Sequence, residues 1–346
     1  MGANITYLPT LLDIARRQDP DGGIASVAEI MQQYNDILDD IGWKEGNLET
    51  GEQVTVRTSK PTPSFRLLNR GVVPAKSTTG QVVESCAILE QRSHIDVDVA
   101  MINGNTAAYR LSEDVAIIQG MMDQLATSLI YGDTSVSPEQ FNGLASRYYT
   151  LNTSVTTYRQ IIDAGGTGSD NTSIWLVCWA GNTVYGIYPK GSKAGLQQKD
   201  LGEQSVLDPD QTNNPGAYLQ MLVSWYQFKC GIAIKDYRAV VRICNIDVSN
   251  LLTAGDASDA SANILKFMSM ALDKLPPNMA GRKVFYMNET VRSMIRVKMQ
   301  DKSNAHITLE QIQGLSIPRP DGVLKYMGVA LRRIDAILST EARITT

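Results

Sequence analysis

Histidine is almost missing from this sequence of 346 residues, which holds only His94 and His306. Cysteine is scarce too, at Cys86, Cys178, Cys230 and Cys244, and no two stand in a C-x-x-C spacing. These shortages argue against a zinc finger or ribbon, and the thiols read as buried and free in a reducing compartment. No run approaches 18 apolar residues, so no membrane-spanning helix and no membrane partner are expected. The start MGANITYLPTLLDIARRQ lacks a basic segment followed by an apolar one, so no secretory signal is expected. Its first six residues do match the loose N-myristoylation pattern. Net charge is −4, without the basic excess of a nucleic-acid reader.

Catalytic signatures are equally thin. No G-x-S-x-G occurs. Gly186 to Lys193 nearly spells a phosphate loop, but Ser192 precedes Lys193 and Pro189 sits inside it, so it reads as a hairpin turn. Gly165-Gly166-Thr167-Gly168-Ser169 lacks the preceding strand and following helix of a dinucleotide site. It reads as a flexible connector at a domain boundary. His94, Asp96 and Asp98 would share one strand face, but no fourth ligand accompanies them, and a polar outer face accounts for them. No catalytic residue, cofactor or metal is assigned, and the chain is not expected to be an enzyme. A nonstandard site in the β-rich half, such as a Cys nucleophile with His94 or His306 as base, is kept as an alternative.

What is present is 43% hydrophobic and 20% charged, enough to bury a core, on a length that suggests about two domains. The charge is segregated. Residues 1–52 hold ten acids and three bases, whereas Gln53 to Val83 holds Arg57, Lys60, Arg66, Arg70 and Lys76 and no acid. Residues 282–346 hold eleven bases and six acids. An acidic arm and a basic loop suit docking between copies of one chain.

Val27, Ile30, Met31, Tyr34, Ile37, Leu38 and Ile41 follow helical spacing after a weak capping box at Ser26 to Glu29. Gln53 to Arg57 alternates as a strand. Pro61, Pro63, Gly71 and Pro74 mark a long loop with the tip Phe65-Arg66-Leu67-Leu68, and Gln81 to Met101 returns as strand. Such a long excursion tends to be functional. Ser112 can cap the next helix, in which Val115, Ile118, Met122, Leu125 and Leu129 form a stripe. Gly132 is positioned to end it as a left-handed C-cap. From Ile174 the period becomes two, with a turn at Gly181-Asn182 read as a hairpin. Tyr218 to Ile246 reads as strand with a break near Cys230-Gly231. Helices are expected over Ser261 to Leu275 and Glu289 to Met299, and strands over Val284 to Met287, Val323 to Met327 and Val329 to Ile334. Pro320-Asp321-Gly322 turns the chain into the last two.

Four blocks carry a resemblance. LATSLIYGDTSVSPEQFNGLASRYYTL (Leu125 to Leu151) resembles the stretch after the spine helix in major capsid proteins of short-tailed and related tailed bacteriophages. VYGIYPKGSKAGLQQKDLGE (Val184 to Glu203), DYRAVVRICNID (Asp236 to Asp247) and GVALRRIDAILSTEARI (Gly328 to Ile344) resemble further blocks in the same order. Ala330 stands where many relatives carry Pro. The resemblance implies an α+β chain of the Hong Kong 97-type capsid fold. It implies an N-terminal arm (1–50), an extended β-loop (51–105), a peripheral domain with the spine helix (106–171), an axial domain (172–275) and completion of the peripheral domain (276–346).

The implied function is self-assembly into hexamers and pentamers of an icosahedral phage head around double-stranded DNA, an encapsulin-type compartment being the alternative. Implied partners are copies of itself, a scaffolding protein, a portal, in some members a decoration protein, and packaged DNA without base readout. The implied location is the virion, after assembly in the bacterial cytoplasm. Arg57, Lys60, Arg66 and Arg70 are the expected inter-subunit cations, with Glu113, Asp114 and Asp123 as candidate partners. Tyr131, Gly132, Asp133, Phe141, Gly143 and Arg147 are expected to fix the corner after the spine helix.

Overall fold

The computed structural model describes residues 35–101, 106–208, 214–253, 263–298, 307–310 and 323–346. The arm before Asn35, His306 and the Pro320–Gly322 turn lie outside them. Contacts divide the chain into two units, one holding Ile88–Leu125 and Lys193–Lys229, the other Gln33–Ala87, Ala126–Ser192 and Cys230–Thr346.

The larger unit is built on β6 (Asn171–Trp179), whose nine residues are all buried. Both faces of the strand are therefore covered, and Ile174 to Trp179 is apolar on both instead of alternating with the period of two expected from the sequence. One edge of β6 pairs antiparallel with β10 (Val240–Asp247), itself paired with the short β5 (Ile161–Asp163). The other edge pairs with β11 (Arg282–Met287), followed by β14 (Val329–Arg333), β13 (Val323–Tyr326) and β12 (Ile307–Glu310). Ile174, Leu176, Val241, Ile243, Phe285 and Met287 form one face. Packed on it are α4 (Val248–Thr253), α5 (Ile264–Lys274) and α6 (Glu289–Lys298) through Leu251, Phe267, Met268, Ala271, Val291 and Ile295. Asn263 caps α5 by accepting from the Lys266 N–H, and Asn288 does the same for Val291 ahead of α6.

The opposite face of the sheet is aromatic and polar. The Tyr286 hydroxyl accepts from the Trp179 indole N–H at 2.7 Å and donates to buried Asp40 at 2.8 Å. Asp40 ends α1 (Ile37–Asp40) and also pairs with Arg282 at 2.7 Å. Burial pushes its carboxyl up, against that hydrogen bond and the Arg332 and Arg282 charges.

The smaller unit contains most of β4 (Ala87–Asp96), α2 (Val97–Met101), the first part of α3 (Thr106–Tyr131), β8 (Leu196–Leu207) and the first part of β9 (Tyr218–Ile234). β8 and β9 form a long antiparallel ribbon from Leu196↔Phe228 to Leu207↔Tyr218. Ile95, Ala100 and Tyr109 make its core, with Val99 and Leu222 against them. Arg110 grips Asp200 of β8 with both terminal guanidinium nitrogens, at 2.8 and 3.1 Å.

Several sequence expectations change. Val97–Met101 is helical rather than strand, because the Asp96 carboxylate accepts the Asp98 N–H and turns the chain. α3 begins at Thr106, so Ser112 lies inside it and caps nothing. The early start is held by buried Tyr109 and the Arg110–Asp200 fork, as tertiary packing decides most helix ends. Of the expected stripe Val115 is exposed and Ile118 and Met122 are half-buried, whereas Leu125 and Leu129 are buried, with Met121 beside them.

β9 runs unbroken through Cys230-Gly231, and the chain interrupts instead at the 3₁₀ turn Tyr237–Ala239. Gly181-Asn182 does turn the chain, but β6 and β7 (Val184–Tyr188) share only the Trp179↔Val184 pair. β7 ladders with β9 and with β1 (Trp43–Glu45) instead of forming a hairpin. The glycine stretch at 165–168 lies within the larger unit, tied by the Gly166 N–H to the Asn245 carbonyl. β11 bonds directly along β6, and 193–229 groups with the first part of α3.

Candidate assembly surface

The corner after α3 explains the dense turn signals of the sequence. A helix end leaves its last carbonyls without partners. Here the returning chain supplies them: the Gly143, Leu144 and Ala145 N–H groups donate to the carbonyls of Gly132, Leu129 and Ile130 at 2.8, 3.0 and 2.7 Å. That approach leaves no room for side chains. A Cβ on Gly132 would lie 2.4 Å from the Phe141 carbonyl oxygen, and one on Gly143 would lie 2.6 Å from that of Ser128. Gly132 does not take the positive φ expected of a C-cap, so its glycine is required by contact and not by conformation. Asp133 closes the turn by accepting from the Ser135 hydroxyl and N–H, bonds that hold its carboxyl below the usual range. Phe141 is buried beneath, and Asn142 accepts from Thr134.

Arg147 connects this corner to the next feature. Its guanidinium donates to the carbonyls of Gly143 and Asn142, at 3.2 and 3.0 Å, and forms a two-pronged pair with Glu84, both bonds 2.6 Å. Glu84 is buried, so this is not the weak pair of a solvated surface.

Glu84 stands at the root of a hairpin formed by β2 (Gly51–Ser59) and β3 (Thr78–Ser85), a two-stranded sheet of its own. Directly opposite it in the ladder is Glu52, also buried. Like charges facing across strands repel, and each carboxylate has its own counter-group. Glu52 accepts from the Tyr185 hydroxyl at 2.8 Å and pairs with Lys44 at 3.5 Å. Burial and the Glu52 bond raise the Tyr185 hydroxyl well above its ordinary value. The backbones are crowded: a Cβ on Gly51 would fall 1.9 Å from the Glu84 carbonyl oxygen, and one on Gly231 would fall 2.7 Å from that of Ser85.

The other end of the hairpin is bare. Residues 60–77 form neither helix nor strand and close one turn, the Arg70 N–H on the Leu67 carbonyl. Phe65 is fully exposed, Leu68 91% and Val73 87%, and Arg57, Lys60, Arg66 and Arg70 are exposed around them. A folded chain has no reason to display such a cluster unless something covers it. Burying each large apolar side chain is worth about 1.5–3 kcal/mol.

The three acids proposed as partners on α3 are not equivalent. Asp114 is buried and takes a hydrogen bond from Tyr226, so it is committed inside its own unit. Glu113 and Asp123 are half-buried. Beside them α3 shows Leu111 and Val115 to solvent. Burial raises the Cys230 and Cys244 thiols to about 12 and that of Cys86 to about 11, so none of these is a thiolate at neutral pH. Burial lowers His94, with Arg92 beside it. Among the described residues no group of His, Cys, Asp or Glu is placed to hold a metal.

One cluster escaped the sequence reading. Arg242, buried in β10, donates to Glu341 at 2.9 Å, to the Ser173 hydroxyl at 3.1 Å and to the Tyr148 carbonyl at 2.9 Å, and lies over the Trp175 ring. Glu341 also accepts from the hydroxyls of Ser173 and of Tyr131, the last residue of α3. The signal was an arginine inside the apolar run AVVRICNI; its partner, nearly a hundred residues later, carried none.

A family model described as major capsid protein GP7 matches residues 19–345. Among solved structures, the chain is similar to one from bacteriophage Epsilon15, at 29% identity and TM-score 0.78, covering 100% of both chains. It is also similar to one from the bacteriophage JBD30 capsid, at 8% identity and TM-score 0.43, covering 92% of this chain and 93% of that one. No curated protein matches the chain.

Proposed function

The chain belongs to the major capsid protein GP7 family, and on that premise we propose that its hairpin loop is the element by which copies hold one another in the shell. As a phage major capsid protein with the Hong Kong 97-type fold, it is a building block of an icosahedral shell, and copies of itself are its first partners. The observation that carries the loop proposal is the exposed cluster Phe65, Leu67, Leu68 and Val73 among Arg57, Lys60, Arg66 and Arg70, on a hairpin that the described residues bond at its root.

In this reading the cluster lies on a neighbouring copy. The apolar side chains supply the affinity and the cations supply register against acids there, Glu113 and Asp123 of α3 among them. Asp114, which is buried, is not among them. Hexamers and pentamers present slightly different surroundings to one sequence, and a long loop on a fixed root accommodates them. Contact with packaged DNA is phosphate-directed and salt-sensitive. A scaffolding protein, a portal and a decoration protein are further proposed partners, and assembly takes place in the host cytoplasm.

The test is the protein expressed alone, followed by negative-stain electron microscopy and sedimentation velocity. Closed shells or rings are expected from the wild type, and an unassembled, folded species from Phe65→Ser/Leu68→Ser. Normal shells from that double variant remove the loop from the contact.

A further inference from the structure

We propose that Arg147 is the positioning residue that sets the direction in which the β2–β3 hairpin leaves the body, and that shell assembly depends on its planar fork and not on its charge alone. The inference rests on the assembly role of the hairpin given above.

Among the described residues the hairpin pairs with no other sheet, so no ladder among them fixes its angle. The glycine contacts at its root fix how close the strands lie, but a contact is not a direction. Direction needs a rigid group bonded on both sides, and Arg147 is one. Its fork holds both oxygens of Glu84 on β3, while its remaining N–H groups reach Gly143 and Asn142 in the corner and, at 3.5 Å, the Ile232 carbonyl of β9. The corner is in turn bonded to the last carbonyls of α3 through Gly143, Leu144 and Ala145. One side chain therefore joins the helix end, the sheet and the hairpin root. A lysine keeps the charge but has neither the plane nor the donors for this set. Without the fork, Glu84 faces Glu52 across the ladder, Lys44 and Tyr185 bond Glu52 and not Glu84, and the root splays.

The experiment uses the full-length protein in its unassembled form, as wild type, Arg147→Lys and Tyr185→Phe. It measures hydrogen exchange by peptide and then assembly by electron microscopy. In Arg147→Lys, exchange in 51–59 and 78–85 is expected to rise at least about tenfold, with β6 and β10 unchanged, and shells are expected to be absent or misshapen. Tyr185→Phe, which keeps the fork, is expected to assemble normally. Wild-type exchange at the root in Arg147→Lys overturns the proposal. So does equal loss of protection in β6 and β10, which shows a general structural role, or a Tyr185→Phe variant as disturbed as Arg147→Lys. Root exchange is read on the unassembled protein, so it decides whether Arg147 positions the hairpin, while normal shells from Phe65→Ser/Leu68→Ser would remove the assembly role of the hairpin separately.

Discussion

At the root of the β2–β3 hairpin a Cβ on Gly51 would lie 1.9 Å from the Glu84 carbonyl; in the loop at the other end a Cβ on Gly71 would meet nothing within 4 Å. The same contrast holds for charge. Arg147 and Glu84 are locked in a buried fork, whereas Arg66 and Arg70 stand in solvent beside exposed Phe65 and Leu68. The charges at the root are met within one chain, and those at the tip stand in solvent. In the proposed reading the tip is the contact element, uncommitted until a neighbour arrives, and the root is the stiff base that aims it.

Substitutions at the two ends should therefore separate stability from assembly. The largest expected effect is Gly51→Val, which cannot be accommodated without opening the ladder. It should cost more than about 4 kcal/mol and lower the thermal midpoint sharply, whereas Gly71→Ala should leave that midpoint unchanged. Next is Arg147→Ala, which strands a buried carboxylate and should cost about 3–5 kcal/mol in urea unfolding; a loss under 1 kcal/mol would mean Glu84 is less enclosed than its burial shows.

Charge reversal at the tip, Arg66→Glu with Arg70→Glu, should change unfolding by less than about 0.5 kcal/mol and yet abolish shells in sedimentation. Normal shells from it would break the comparison from the other side. The smallest effect sharpens the role of burial. Arg110 and Asp200 make the same two-pronged pair as Arg147 and Glu84, but the Asp200 side chain is 56% exposed against 4% for Glu84. Asp200→Asn should cost less than about 1 kcal/mol. The Arg110 bond holds the Asp200 carboxyl below its ordinary 3.8. The stability it supplies is thus present above that value and is lost as pH falls through the lower folded value. Asp200→Asn should remove this part of the acid limb of the unfolding profile.

Part of this was legible in the residues. The acid-free run Gln53 to Val83, with its prolines and apolar tip, marked an excursion that fills no core of its own, and the structure leaves it exposed. The stretch from Ile174 marked a strand, but its period-two reading missed that both faces are covered. Gly132 was located correctly and explained wrongly. A helix-ending glycine suggests a left-handed turn, and only the position of Phe141 showed that the crowding comes from a returning carbonyl. Asp114 was misjudged for a similar reason. On a helix map it stands beside Glu113, and only the packing of Tyr226 decided that it points inward.

The sequence by itself determined the alternation of strands and helices, the long helix, the bare basic loop and, through four ordered blocks, the family resemblance. These rest on periodicity, turn chemistry and local charge, which act over a few residues. Only the tertiary structure decided that Arg147 meets Glu84, that Arg242 meets Glu341, and that β11 lies along β6. Each joins residues far apart in the chain, and no local pattern encodes its partner. Their energies come from burial and from hydrogen-bond geometry, which exist only once the chain has folded.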